Sequence, residues 1–168
     1  MKTRNTKFLT LAAVLAALTT VATLIQIPRP HGYINLGDTI VNCAGWILGG
    51  TYGAAAAGIG SALADIVSGY AIYAPASLII KGAMAAASWA IYNGLSRKFP
   101  SLSARVCAAA IAEVIMAAGY SAYEIAIYRS VSVAVLGIPG NLIQGIIGAA
   151  VSVVIYETVI KRIPKFGA

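Results

Sequence analysis

Charge is scarce in this chain. Of its 168 residues only 10% are charged, five of them acidic, while 60% are apolar and the mean hydropathy is +0.84. That balance excludes disorder, which needs low hydrophobicity and high net charge. Cysteine is nearly missing as well. Cys43 and Cys107 lie near opposite ends of predicted helices, with no C-x-x-C and no paired histidine, so neither a disulfide nor a metal knuckle is expected. Histidine occurs once, as His31, which is too little for a histidine-based catalytic or metal centre. There is no G-K-[ST], so the glycines of GIGSALAD make no phosphate loop and suit close helix packing instead. No metal or cofactor is expected.

What the chain does have is apolar sequence from end to end, in runs near the roughly 20 residues that a helix needs to cross a bilayer. The opening KTRNTK followed by FLTLAAVLAALTTVATLIQI looks like a secretory signal. Its apolar run is longer than the usual signal core and further hydrophobic spans follow, so it reads as a retained first helix. Residues 1–168 are therefore read as one all-α integral membrane domain, a single bundle of six transmembrane helices. They are placed at 8–27, ended by Pro28 and Pro30, then 38–50, 54–70, 76–95, 104–127 and 140–160. Asp38 is placed as the N-cap of the second helix and Gly49-Gly50 as its end. PRPHGYINLG, GYAIYAP and YRSVSVAVLGIPG are read as loops on one face.

The net charge of +7 would suggest nucleic acid in a soluble protein, but no basic stripe with interleaved aromatics exists. The cations sit between the apolar runs. Lys2, Arg4, Lys7, Arg97, Lys98, Arg105, Lys161, Arg162 and Lys165 fall on one face, and only Arg29 and Arg129 on the other. Nine against two puts both termini in the cytoplasm by the positive-inside rule.

Inside the helices the few polar residues line up. Residues i, i+4, i+7 and i+11 share a helix face. That rule groups Asp38, Asn42, Gly45 and Gly49; Ser61, Asp65 and Ser68; Ser77, Lys81, Met84 and Ser88; Glu113, Ala117, Tyr120 and Glu124; and Asn141, Gly148 and Ser152, with Gln144 slightly aside. An ionisable side chain within a membrane span is a functional-site hypothesis by default, because a charge at the bilayer centre costs at least about 2.5–3.5 kcal/mol. Asp65 and Lys81 are expected at similar depth in the outer half, as a pair. Asn141 and Gln144 with Tyr120 and Glu124 are expected to border an outward-facing pocket suited to a small polar aromatic ligand. On helix 1, Ala12 with Ala16 and Ala13 with Ala17 form small-xxx-small stripes that fit either neighbouring helices or a partner subunit.

GYINLGD at helix 2, ADIVSGYAIYAPASLIIKG across helices 3 and 4, and NLIQG opening helix 6 resemble the substrate-binding S components of energy-coupling factor (ECF) vitamin transporters. Within that family the chain looks most like the hydroxymethylpyrimidine and pyridoxine group. Ser77 departs from the pattern, standing where a threonine is expected before the lysine. The resemblance implies a multi-pass protein of the bacterial plasma membrane, not an enzyme, that takes a water-soluble vitamin from outside. It implies a pocket formed by the outer loops and helices 4 to 6. It also implies docking through Ala12, Ala13, Ala16 and Ala17 on a transmembrane scaffold subunit driven by two ATPase subunits. Tyr33, Asn35, Lys81, Tyr120, Glu124, Asn141 and Gln144 are then the expected ligand contacts, with Asp38, Asp65 and Glu113 in support. Two other classes stay open. A gradient-driven carrier or channel would show inverted repeats or helices broken at mid-membrane. An intramembrane enzyme would need a nucleophile and base together.

Overall fold

Lipid offers no hydrogen bonds to the backbone, so a chain this apolar must satisfy its amides internally. The computed structural model, which describes residues 2–28 and 33–163 with side chains from residue 5, follows that rule. Arg29, Pro30, His31 and Lys165 lie outside the described residues. Helix α1 (Lys2–Leu24) leads into a short antiparallel hairpin, β1 (Gln26–Pro28) on β2 (Tyr33–Asn35), with Ile27 opposite Ile34. Then come α2 (Gly37–Val67), a 3₁₀ turn at Ala71–Tyr73, α3 (Ala74–Leu95), α4 (Ser101–Tyr128), α5 (Val131–Thr158) and a 3₁₀ turn at Ile160–Arg162. Among the described residues, five helices are long and apolar enough to cross a membrane.

Helices α3 and α4 begin and end close to their sequence-based bounds. Helix α1 starts earlier than residue 8 and stops at Leu24 rather than Ile27, because Gln26–Pro28 pair with Tyr33–Asn35 instead of continuing the helix. Helices α2 and α5 differ for other reasons. The stretches expected as separate helices at 38–50 and 54–70 form one helical segment, α2, interrupted only at Gly49 (φ 81, ψ −178). No polar loop is needed, because one glycine supplies a backbone conformation closed to other residues. The chain turns back there: a Cβ on Gly53 would stand 2.6 Å from the Ala44 carbonyl oxygen. Nine residues of straight helix would separate those positions by about 13 Å. Helix α3 runs alongside both arms, with Gly45 of the first against Ala85 and Gly58 of the second against Leu78.

At α5 the expected loop before residue 140 is helix from Val131 onward, with Pro139 inside it. Apolar surroundings favour keeping every other backbone bond, so one missing N–H does not end the helix. The turn from α4 is reduced to Arg129, in the left-handed region at φ 50, and Ser130. Asp38 is not the cap of α2. Leu36 holds that position without a side-chain cap bond, and Asp38 lies one residue inside the helix, fully buried.

The bundle is polar inside and apolar outside. Ile79, Leu136 and Ile146 are each 70% or more exposed, whereas Asn42, Ser88, Glu124 and Ser152 are 0% exposed. Val41, Ala57, Met84, Ala112 and Met116 fill the space between α2, α3 and α4. The two alanine stripes of α1 part company. Ala12 is buried and Ala16 half-buried against Ala44, Leu48 and Ala56, while Ala13 and Ala17 face outward.

Candidate ligand site

Near the start of α3, Lys81 points inward from a helix face shared with Ser77, Met84 and Ser88, all buried. A buried ammonium needs a counter-charge. Asp38 of α2, rather than Asp65, supplies it: Lys81 Nζ is ion-paired with Asp38 Oδ1. The other carboxylate oxygen accepts from Gln144 Nε2 at 2.6 Å. Gln144 Oε1 in turn accepts from the Asn35 backbone N–H at 2.9 Å and from Asn35 Nδ2 at 3.1 Å. Asn35 Oδ1 then accepts from the Gly37 N–H at 2.8 Å, at the entry to α2. One chain of hydrogen bonds thus ties β2, α2, α3 and α5.

Asp65, expected beside Lys81, instead accepts a short hydrogen bond from the Tyr33 hydroxyl through Oδ1. Burial first, and that bond second, hold the Tyr33 phenol protonated well above the ordinary tyrosine range. The Tyr33 ring meets Tyr70 edge-on at 5.1 Å, and Tyr70, Tyr73 and Tyr120 continue the row at 6.4 and 6.5 Å. Tyr120 shares a 2.6 Å hydrogen bond with Ser77, and Lys81 Nζ stands 5.2 Å from its ring centre.

These groups enclose a cavity of about 40 Å³ lined by Thr23, Tyr33, Asn35, Ser61, Asp65, Tyr73, Ser77, Lys81, Tyr120, Asn141 and Gln144. Six of the seven expected ligand contacts are therefore brought together. Glu124 is not among them. It is fully buried beside Gly137, its Oε1 accepts from the Tyr73 hydroxyl at 3.5 Å, and Tyr73 stands in the wall in its place. Glu113 is also set back, accepting from Asn42 Nδ2 at 3.0 Å, and its side chain borders a separate apolar groove between α4 and α5. Asn141 touches both spaces.

Thr23, Ser61, Ser77 and Tyr73 are wall residues that the pattern did not single out as contacts. Ser61 and Ser77 sit on the inward faces read from periodicity; Thr23 lies in an undistinguished TTVAT run. Three atoms of this wall, Thr23 Oγ1, Ser61 Oγ and Asp65 Oδ2, are buried without a hydrogen-bond partner. Each such group costs about 1–3 kcal/mol unless something fills the space and bonds to it.

The opposite end holds a second buried cation. Arg105, expected as a connector charge, is 3% exposed. It pairs with Glu157, donates to Ser101 Oγ and Tyr92 OH at 2.8 Å each, and lies 3.8 Å from the Tyr156 ring centre and 5.8 Å from that of Trp46.

A helical bundle with an apolar exterior and a polar cavity is the architecture of a multi-pass membrane protein that holds a small solute. The solved S component of a bacterial ECF transporter shares this fold, with a TM-score of 0.76 over 94% of this chain and 97% of that one, at 20% identity. The family model for the ECF-type riboflavin transporter, S component, matches residues 3–162, and the chain belongs to that family. An uncharacterized protein from Pyrococcus woesei is 42% identical over 65 residues, a match spanning 39% of this chain and 43% of that protein's length.

Proposed function

We propose that this S component captures a single-ring vitamin or precursor, of the hydroxymethylpyrimidine or pyridoxine kind, at the outer side of the plasma membrane. A transmembrane scaffold subunit with two ATPase subunits then drives its uptake. The observation that carries this reading is the cavity itself, with a paired lysine, three amides and three unpartnered polar atoms converging on one space between tyrosines. Its volume of about 40 Å³ holds a few water molecules, well below the roughly 300–1,000 Å³ of open ligand pockets. Binding therefore requires the walls to part, and a single ring needs a smaller opening than a tricyclic one bearing a sugar-alcohol chain. Lys81 takes a polar substituent, Asn35, Asn141 and Gln144 read ring nitrogens, and a tyrosine stacks. Glu124 acts from behind Tyr73.

In this reading the two antiparallel arms of α2 each cross the membrane, so the chain crosses six times with both termini cytoplasmic. Removing buried Arg105 from the charge count leaves eight cations against two, and the direction is unchanged. The outward-facing stripe, Ala13 and Ala17, is the part of helix 1 left to dock on the scaffold.

Calorimetry on the detergent-purified chain, titrated with hydroxymethylpyrimidine, pyridoxine, thiamine and riboflavin, tests the proposal. One-to-one binding of a single-ring compound without any ATPase present, weakened by Lys81→Ala or Asn141→Ala, is expected. Binding of riboflavin alone would overturn the ligand class, and binding of none of the four by folded protein would overturn capture itself.

A further inference from the structure

The wall formed by α1 and the second arm of α2 differs in kind from the wall formed by α3 and α5. On the α3–α5 side, Lys81 is held by Asp38 and Gln144 by Asp38 and Asn35. On the α1–α2 side, Thr23 Oγ1, Ser61 Oγ and Asp65 Oδ2 face the same cavity with no partner, in residues that are 3%, 1% and 4% exposed. The local helix does not impose this. Thr19 and Thr20, on the same helix as Thr23, return their hydroxyls to the carbonyls of Leu15 and Ala16 at 2.8 and 3.0 Å. Ser152 likewise bonds the Ala149 carbonyl at 2.9 Å. Thr23 and Ser61 forgo that option. Asp65 lies one turn beyond Ser61 on the same face. Its Oδ1 is taken by Tyr33, while Ser77, which also bonds Tyr120, and the Lys81 charge act on the same carboxyl group, so that Oδ2 is the oxygen left open toward the cavity.

We propose that Thr23, Ser61 and Asp65 form a ligand-reading wall for the edge of a nitrogen heteroaromatic ring that presents an N–H or amino donor beside an acceptor. A carboxylate oxygen only accepts, so it demands a donor from the ligand. A hydroxyl gives or takes, so Thr23 and Ser61 serve the flanking acceptor or a second donor. An aminopyrimidine edge meets that demand, as does the imide edge of a flavin; a ring edge with acceptors alone does not. This proposal rests on reading the chain as a vitamin-capturing subunit, and it fixes which edge of the ring enters first.

The test is calorimetry on the full-length purified chain with two matched pairs. One is hydroxymethylpyrimidine against its 4-deamino analogue, the other riboflavin against N3-methylriboflavin. The wild type is expected to prefer the donor-bearing member of the pair it binds by about tenfold or more. Asp65→Asn turns an amide toward the cavity and brings that preference to within about threefold, while Thr23→Val and Ser61→Ala each weaken the donor-bearing member by about three- to tenfold. Lys81→Ala weakens both members of the pair alike. Melting temperatures report folding, and if Asp65→Asn does not fold, the near-isosteric Thr23→Val and the wild-type ligand pair decide. Binding by the wild type without preference, binding of pyridoxine but of neither pair, or preference retained in Asp65→Asn would overturn the wall and leave vitamin capture standing. Wild-type protein that binds neither pair nor pyridoxine nor thiamine would overturn capture, and the wall with it.

Discussion

At one end of the bundle Lys81 is buried against Asp38; at the other, Arg105 is buried against Glu157. Along α4 the sites are separated by the run from Arg105 to Tyr120, about 22 Å of helix. Both ends gather tyrosines, and both use a carboxylate from another helix. Yet the Arg105 end is closed. The guanidinium donates through its two terminal nitrogens to Ser101, Tyr92 and Glu157 and lies against the rings of Tyr92 and Tyr156; its Nε, like Trp46 Nε1 beside it, is buried without a partner, and Arg105 lines neither cavity. The Lys81 end keeps free volume and three unpartnered oxygens. A buried ion pair therefore does not identify a site. Both ends leave polar atoms unpartnered, and what separates a clamp from a pocket is the free volume beside them, which only the Lys81 end has among the described cavities.

The sharpest way to break this comparison is to remove each cation. Lys81→Ala strands Asp38 at 0% exposure and is expected to cost about 3–5 kcal/mol in detergent melting experiments while weakening ligand binding in calorimetry by about tenfold or more. Adding Asp38→Asn should return most of the stability and none of the affinity. Arg105→Ala is expected to cost about 2–3 kcal/mol, less because Glu157 is partly exposed, with ligand affinity within about threefold of wild type. Equal losses of affinity in the two variants would erase the distinction between the ends.

Smaller changes sharpen it. Gln144→Leu leaves Asp38 Oδ2 and the Asn35 donors without their partner, so affinity should fall about tenfold and stability by about 1–3 kcal/mol. Gly49→Ala, at the turn between the arms of α2, should cost about 1–3 kcal/mol of stability with little effect on affinity, since Gly49 lies against Trp89 and neither residue lines the cavity. Ala13→Leu alters an exposed position, so melting should shift by no more than about 0.5 kcal/mol in equivalent stability. Co-purification with the scaffold subunit should nevertheless drop.

The inward faces were legible in the residue order. Asp38, Lys81, Glu113, Asn141 and Gln144 repeat at helical spacing within apolar sequence, and all of them are buried toward the bundle. In an apolar surrounding a polar side chain has nowhere else to go, so periodicity alone predicts its direction. The family-level resemblance was legible for the same reason, carried by those residues and the turns beside them. Which partner each residue meets was not. Lys81 had Asp38 and Asp65 within the same stretch, and the choice followed from the fold-back at Gly49 and the packing of Gly45 on Ala85. Arg105 read as a connector charge because its cage is drawn from Tyr92, Tyr156 and Trp46, on three other helices. Glu124 shares a face with Tyr120, but the turn at Ala71–Tyr73 places Tyr73 in front of it. Helical spacing is a local property of the backbone and shows which way a side chain points. Pairing depends on the offset between helices, which packing of small residues sets over separations of many residues.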